Sequence, residues 1–336
     1  MENQINPEQP TNDNLQFTNR IDLSELQQSV VSIRQELHKV IIGQHEMIDK
    51  LIASILANGH ALIEGIPGVA KTITAKLIAK TMDVGFSRIQ FTPDLMPSDI
   101  LGTSVYNMKN SEFEFKPGPI FSNIILIDEI NRSPAKTQAA LFEAMEERQI
   151  TIDGKTYKLA APFLVFATQN PIEQEGTYRL PEAQLDRFLF KIEVDYPTLE
   201  EEIQIIETHH ARKDIKKTAV INRVLSAEKV TEFQQLVQQI IMEKHLINYI
   251  AKIVTKTRDN PFLYLGASPR ASLAISQASK AFAAMEGRDF VTPEDIKRAA
   301  TPVLQHRIIV TPEREMEGVT SKQVIKQMLE SIEIPR

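Results

Sequence analysis

The stretch GIPGVAKT at residues 65–72 is the feature that most restricts what this chain can fold into. It lies between a short apolar segment, HALIEG, and a helix-forming segment, TITAKLIAKTM. It fits the pattern G-x-x-x-x-G-K-[ST], except that alanine stands where the last glycine is expected. In such a strand–loop–helix unit, the backbone amides and the helix dipole favour bound phosphate. The loop residues assigned to this binding are Gly65, Pro67, Gly68, Val69 and Ala70.

The two residues after the loop have side chains suited to a nucleotide. Lys71 would reach the β- and γ-phosphates, and the Thr72 hydroxyl would be a ligand of Mg²⁺. We expect a negative φ at Ala70, as at any helix start, so that its methyl group is tolerated. The alternative is a chance glycine-rich turn, and the strand–loop–helix context favours a working site.

Apolar segments typical of buried strands alternate with helical segments over the first 200 residues. Two helices, at about 23–40 and 44–56, precede the first strand. This alternation predicts an α/β fold with a five-stranded parallel sheet. The predicted strands are HALIEG (60–65), FSRIQF (86–91), NIILIDEI (123–130), FLVFATQN (163–170) and FLFKIEV (188–194).

The pattern changes near Pro197, where strands give way to helices. We predict a flexible tail at 1–20, an α/β core at 21–197 and an all-α lid domain at 198–336, with a hinge-like boundary between core and lid. The predicted lid helices are at about 199–213, 226–240, 244–257, 269–285 and 293–305.

Two segments read as β-hairpins inserted into this core. One spans about 104–115, and the other spans about 149–159 with a turn at Asp153 and Gly154. Ordinary edge strands are the simpler interpretation. The functional one is that the hairpins project and handle a partner.

Polar side chains follow two of the predicted strands. Asp128 and Glu129 end the third strand, which we expect beside the strand of the phosphate loop. Asp128 would hold Mg²⁺ through water, and Glu129 would polarise an attacking water molecule. Asn170 ends the fourth strand and would contact the same water, although an Asn-Pro pair is also a common turn. GTPases usually lack the second carboxylate, so the pair favours ATP hydrolysis.

Three arginines are candidates to stabilise charge on a transferred phosphoryl group. Arg187 lies just before the fifth strand, and Arg270 begins a lid helix. Arg179 is a third, less defined candidate. Each is also compatible with an ordinary solvated cation. An arginine on the lid would couple nucleotide state to the angle between the domains, and one from a neighbouring subunit would couple subunits.

Composition excludes several classes of protein. The chain has no cysteine, which excludes disulfides, zinc–thiolate sites and thiol nucleophiles. Its net charge of −6 disfavours a sequence-independent nucleic-acid binder. No apolar run approaches a membrane span, and the N-terminus lacks a signal-peptide pattern, so we expect a cytoplasmic protein.

The motifs together resemble those of MoxR-type AAA+ ATPases. The resemblance covers about residues 40–310, and alanine at position 70 is usual in that family. The matching stretches are IIGQ, EGIPGVAKT, QFTPDLMPSDILGT, GPIF, LIDEINRSPAKTQAALFEAMEER, FATQNPIEQEGTYRLPEAQLDRF and GASPRA.

The resemblance implies roles for these residues. Ile42 and Gly43 would pack near adenine, Asn170 would be the first sensor, Arg187 the finger presented to the next subunit and Arg270 the second sensor. Family members usually have proline where Arg179 stands, so its role is open. The two hairpins match the family's two insertions. Members form rings, commonly hexamers, that use ATP and Mg²⁺ to mature client proteins, often ones with von Willebrand factor A domains and metal sites.

Three other functions are compatible with parts of the sequence. A nucleic-acid motor would use Lys155 and Lys158 of the second hairpin, although Asp153 and the acidic total argue against it. An ATP-gated scaffold would bind nucleotide with little hydrolysis, which the complete motifs disfavour. A small-molecule kinase has no use for Glu129, because that carboxylate prepares water.

Overall fold

A computed structural model of the chain describes residues 20–171, 178, 180–211 and 220–335. The predicted tail, apart from Arg20, and the candidate Arg179 lie outside the described residues. The strands are β1 (His60–Gly65), β2 (Phe86–Gln90), β3 (Gly102–Asn107), β4 (Glu112–Pro117), β5 (Ile124–Asp128), β6 (Gln149–Ile152), β7 (Lys155–Lys158), β8 (Leu164–Gln169), β9 (Phe188–Val194), β10 (Leu263–Leu265) and β11 (Ile309–Val310). The α-helices are α1 (Ser24–His38), α2 (His45–Leu56), α3 (Lys71–Thr81), α4 (Pro97–Leu101), α5 (Ala135–Glu147), α6 (Glu182–Leu185), α7 (Leu199–Ala211), α8 (Ala227–Gln239), α9 (Lys244–Arg258), α10 (Pro269–Met285), α11 (Pro293–Leu304), α12 (Pro312–Met316) and α13 (Ser321–Ser331).

Five strands form one parallel sheet in the order β2-β5-β8-β1-β9, which confirms the predicted fold class. The expectation that the strand of Asp128 lies beside the strand of the phosphate loop is wrong. Strand β8 lies between them, since Ala167 is paired with Leu62 of β1 on one side and Ile127 of β5 on the other. Strand order depends on where each crossover places its strand, and the alternation of elements along the chain does not specify that.

Strand β5 illustrates how the sheet is buried on both faces. All five of its residues are buried, and successive side chains point to opposite layers. Ile124 and Leu126 pack in the apolar cluster that includes α1, α2 and α3, whereas Ile125 and Ile127 pack in the cluster that includes α5. A strand covered on both faces needs a continuous apolar run, which is how the sequence reads here.

The structure has antiparallel hairpins in both places where the sequence predicts them, β3–β4 and β6–β7. The turn of the second has φ of 50° at Asp153 and 75° at Gly154, as a two-residue hairpin turn of this type requires. The hairpins touch each other. The rings of Phe115 and Tyr157 stack with centroids 4.4 Å apart, and Ser104 Oγ donates to Asp153 Oδ2 at 2.5 Å.

Helices α8, α9, α10, α11 and α13 contribute buried side chains to the same apolar cluster that covers one face of the sheet. Phe190 of β9 and Phe282 of α10 stack with ring centroids 6.0 Å apart, and helix α10 also contacts α2. The cluster therefore spans the boundary where the sequence suggests a hinge. A change of angle between the two parts would expose buried apolar surface.

Candidate functional site

The phosphate loop follows β1 at the carboxyl edge of the sheet, and α3 begins at Lys71. The φ angles of Gly68 and Ala70 are 92° and 62°, so the expected negative φ at Ala70 is wrong. A non-glycine residue in this left-handed region costs about 1–2 kcal/mol. The chain adopts it because the loop must turn its backbone before the helix starts, and such left-handed turns aim N–H groups into an anion-binding concavity.

Two other loop residues have clear packing reasons. A Cβ on Gly65 would lie 2.8 Å from the carbonyl oxygen of Val194, so only glycine fits where β1 passes β9. Val69 is buried in the apolar cluster and anchors the loop, whereas Pro67 and Gly68 are exposed. The loop therefore has a fixed base and an accessible tip.

The first two residues of α3, Lys71 and Thr72, contact the phosphate loop and the end of β5, respectively. Lys71 Nζ donates to the carbonyl oxygen of Gly65, which folds the lysine back over its own loop. Thr72 Oγ1 lies 3.5 Å from Asp128 Oδ1, although the two residues are 56 positions apart. The structure thus brings together the helix start after β1 and the end of β5, as the sequence predicts for a metal site.

Asp128 is buried and held from several sides. Its Oδ1 accepts a hydrogen bond from Thr168 Oγ1 at 3.1 Å, and its Oδ2 accepts one from Arg88 Nε at 2.5 Å. Thr168 also accepts the backbone N–H of Glu129 at 3.1 Å, so one hydroxyl fixes both acidic residues. The carboxylate of Asp128 has little freedom to change direction while these partners remain.

Glu129 has a backbone conformation that separates its side chain from that of Asp128. Its φ of 58° and ψ of 53° are left-handed, which turns the carboxylate away from the strand direction. Gln90 Nε2 donates to Glu129 Oε2 at 2.7 Å, and Arg132 Nε lies 3.2 Å from the same oxygen. The carboxylate that is predicted to polarise water therefore contacts two neighbouring side chains in this conformation.

Asn170 lies at the same edge, after β8, and is buried. Because β8 runs between β5 and β1, Asn170 lies between Glu129 and the phosphate loop, where the first sensor is predicted.

Gly43 and Ile42 lie in the turn between α1 and α2. Gly43 has φ of 65°, and a Cβ there would collide with the carboxylate of Glu201 on α7. Their contact with adenine stays a prediction.

Arg187 and Arg270 lie at the opposite edge of the sheet. Arg187 immediately precedes β9, and its Nη2 lies 2.9 Å from Glu146 Oε2 in the last turn of α5. Arg270 Nη2 lies 3.0 Å from the other oxygen of the same carboxylate. The end of α5 is at the amino edge, since Arg148 donates to the carbonyl oxygen of Asn58, just before β1 begins.

The two arginines are therefore separated from the chain's own phosphate loop by the length of a strand. Strand β1 has six residues, which corresponds to about 20 Å. The structure does not bring Arg270 to the nucleotide side of its own chain, so a role as second sensor remains a prediction, and only for the nucleotide of another chain.

A buried ion pair between Arg307 and Asp186 lies next to Arg187 and Arg270. Arg307 is buried and its Nε lies 2.6 Å from Asp186 Oδ1, while its Nη2 donates to the carbonyl oxygen of Phe188 at 2.7 Å. Burial lowers the pKa of Arg307, and the charge of Asp186 opposes that shift. Ser268, which immediately precedes the helix of Arg270, donates to Asp186 Oδ2 at 3.0 Å. This hydrogen bond to Asp186 holds the start of the Arg270 helix next to Arg187.

The sequence-based reasoning missed several of these residues. Arg88 and Gln90 alternate with apolar residues in FSRIQF, which indicates that they share one face of β2. That face becomes meaningful only once β2 is known to lie beside β5. The roles of Glu146 and Arg307 required the tertiary structure, because their partners are distant in the chain.

The residues present fit a magnesium site of the kind that phosphate completes. Within the described ranges, no group of three or more histidine, aspartate and glutamate side chains could hold a metal ion by itself. Thr72 and Asp128 instead offer two hard oxygen atoms close together. Mg²⁺ is commonly held by one or two such oxygens together with water and substrate phosphates.

Family models match both parts of the chain. Residues 60–190 match the model of the ATPase family associated with various cellular activities (AAA), and residues 255–328 match the AAA lid domain. The crystal structure of a candidate ATPase from Cytophaga hutchinsonii superimposes with a TM-score of 0.85 at 42% identity, covering 93% of this chain and 97% of that one. The fold and the phosphate loop therefore define an AAA+ ATPase with its lid.

Two similar proteins narrow the class of AAA+ ATPase to one family. The chain is 41% identical over 310 residues to Chaperone MoxR1 of Mycobacterium tuberculosis, covering 90% of this chain and 81% of that protein. It is 44% identical over 301 residues to the uncharacterized protein YeaC of Bacillus subtilis, covering 90% and 93%. The chain belongs to the MoxR family of AAA+ ATPases. None of the helices in the described part of the chain combines the length and apolarity that crossing a membrane requires.

Proposed function

We propose that this chain hydrolyses ATP with Mg²⁺ in a ring of identical subunits, and that the ring remodels or matures client proteins. One observation carries the proposal. The phosphate loop and the acidic pair lie at one edge of the sheet, whereas Arg187 and Arg270 converge at the other edge. A complete site therefore needs the arginines of a second copy.

Within one chain, the nucleotide side has defined tasks. Lys71 and the loop amides would bind the phosphates, and Thr72 and Asp128 would hold the metal. Mg²⁺, when bound, would neutralise negative charge on the phosphates. Glu129 leaves Gln90 and orients the attacking water, which Asn170 also contacts. Catalysis of this kind depends on positioning and on electrostatic stabilisation.

The neighbouring chain supplies positive charge. Arg187 and Arg270 exchange the carboxylate of Glu146 for the γ-phosphate of the adjacent subunit and stabilise the charge that develops there. Such a contact is head-to-tail, because one edge of the sheet meets the opposite edge of the next copy. Head-to-tail contacts that close produce rings. A hexamer is the ring size that family membership suggests.

The client side of the proposal rests on the family and on the hairpins. MoxR1 carries the name of a chaperone. The β3–β4 hairpin exposes Tyr106, Met108 and Phe113, an apolar surface suited to another polypeptide. Proteins with von Willebrand factor A domains and metal sites are the client class we propose.

Mixing two inactive variants tests the shared site. Lys71→Ala removes the phosphate lysine, and Arg187→Ala removes the charge given to the neighbour, so each protein alone should hydrolyse little ATP. An equal mixture should regain about one quarter of wild-type turnover, because that share of interfaces pairs an intact lysine with an intact arginine. Failure to regain any turnover, with full activity in wild-type monomers, would overturn the proposal.

Client remodelling needs a separate experiment. Glu129→Gln should bind ATP without turnover and hold clients on the ring. Affinity purification of this variant with ATP, compared with the same variant without nucleotide, should enrich proteins of the proposed client class. Equal recovery in both samples would contradict ATP-dependent client handling.

A further inference from the structure

The guanidinium of Arg88 lies against the carboxylate of Asp128, which is predicted to hold Mg²⁺. Arg88 is on β2, the edge strand next to β5, and its Nε lies 2.5 Å from Asp128 Oδ2. The side chain of Arg88 is 54% exposed, whereas that of Asp128 is 9% exposed. The arginine reaches in from solvent, and the carboxylate is fixed from the protein side.

The two oxygens of Asp128 have different partners. Oδ1 faces the hydroxyls of Thr72 and Thr168, at 3.5 and 3.1 Å, and Oδ2 faces Arg88. Thr72 is the other predicted metal ligand, so the metal position and the guanidinium lie around one carboxylate. A divalent cation at that position would be repelled by the guanidinium of Arg88, and the two cations would compete for the same negative charge.

The Arg88 side chain can move into solvent when a metal ion displaces it from Asp128. Among the described residues, no strand lies on the other side of β2 in the sheet, and half of the Arg88 side chain is already in solvent. Its Nη2 also donates to Gln90 Oε1 at 3.3 Å, which gives the guanidinium a second contact on the strand surface. Displacement therefore costs little apart from the ion pair itself.

We propose that Arg88 and Mg²⁺ compete for Asp128, so that Arg88 sets the Mg²⁺ concentration at which the site takes up metal-bound nucleotide. This inference rests on the proposed ATP site. Arg88 is a positioning residue in this account, because it acts on the metal through Asp128. No residue assigned to phosphate binding changes its role.

The chain offers a matched control. Arg223 lies 2.8 Å from Asp83 in an exposed ion pair that involves no predicted site residue. Arg88→Met and Arg223→Met each remove one surface guanidinium and keep an apolar stem. Arg88→Lys keeps the charge and serves as the conservative variant.

Binding of a fluorescent ADP analogue, titrated with Mg²⁺ from an EDTA-containing buffer, tests the proposal without requiring turnover. We expect Arg88→Met to lower the half-saturating Mg²⁺ concentration about tenfold. Arg88→Lys and Arg223→Met should stay close to wild type. Affinity in EDTA alone should not rise in Arg88→Met, since the effect is on the metal.

The outcomes separate this inference from the proposed function. Wild-type protein that binds no nucleotide under any condition would contradict the ATP site itself. Wild-type binding that responds to Mg²⁺, with an unchanged or higher Mg²⁺ requirement in Arg88→Met, would overturn only the competition. An equal increase in the nucleotide affinity of Arg88→Met in EDTA and in Mg²⁺ would also overturn the competition. Thermal denaturation checks folding, and Arg88→Gln takes the same test if Arg88→Met unfolds.

Discussion

Arg187 and Arg270 lie against the two oxygens of one carboxylate, that of Glu146, at 2.9 and 3.0 Å. One arginine belongs to the sheet-containing part of the chain and the other to a helix of the lid, 83 positions later. Two guanidinium groups that converge on a single anion form a site that also suits a phosphoryl group. This relationship places Arg270 beside Arg187, away from its own phosphate loop.

Mixing experiments distinguish whether Arg270 serves its own chain or the next one. Arg270→Ala mixed with Lys71→Ala should regain about one quarter of wild-type ATP turnover, because intact halves meet at mixed interfaces. If Arg270 served its own nucleotide, no chain in the mixture would hold both residues and the mixture would stay inactive. Steady-state phosphate release measures the difference, and each variant alone is the control.

Gln90 should restrain hydrolysis by holding Glu129. Its amide donates to Glu129 Oε2 at 2.7 Å, and that contact must break before Glu129 can orient water. A hydrogen bond worth about 0.5–1.5 kcal/mol corresponds to a two- to tenfold effect, so Gln90→Ala should raise basal turnover by that factor. In a Glu129→Gln background the same change should have no effect. Lower turnover in the single variant would contradict the restraint.

Arg307 should be important for stability, since its guanidinium is buried with Asp186. Arg307→Met leaves that carboxylate and nearby carbonyl oxygens without their donor, and it should lower the free energy of unfolding by about 3–5 kcal/mol. Arg223→Met removes an exposed pair and should cost less than about 1 kcal/mol. Urea unfolding measures both, and equal midpoints would argue against a structural role for the buried pair.

His60 should make the protein less stable in mild acid. Burial lowers the pKa of His60 to about 4, with a smaller contribution from the cation of Arg148. The backbone N–H of Val165 donates to its Nδ1 at 2.9 Å, which requires a neutral ring. The unfolded chain takes up this proton near pH 6.5 and the folded chain only near pH 4. Stability should therefore fall by about 3 kcal/mol as the pH drops through that window.

His60→Gln tests this origin of the pH dependence. The variant should reduce the slope of unfolding free energy against pH between 4 and 6.5, whereas His210→Gln, at an exposed position, should not. Some slope remains because burial also holds the pKa of His306 well below its usual value. An unchanged slope in His60→Gln would show that other groups dominate acid unfolding.

The sequence by itself determined the local elements and the nucleotide-side motifs. Glycine spacing, the lysine and the strand before the loop specify a phosphate loop, because each requirement is local. The apolar run that ends in Asp128 specifies a strand buried on both faces.

Tertiary structure decided what the pattern left open. Strand order placed β8 between β5 and β1 and placed Arg88 and Gln90 against the acidic pair. The turn of the whole loop gives Ala70 its left-handed φ, which a rule about helix starts does not predict. Arg187 precedes β9 at the amino edge of the sheet, and Lys71 follows β1 at the carboxyl edge, so the fold separates the two side chains. This separation depends on how the crossovers place and orient the strands and not on any local sequence preference.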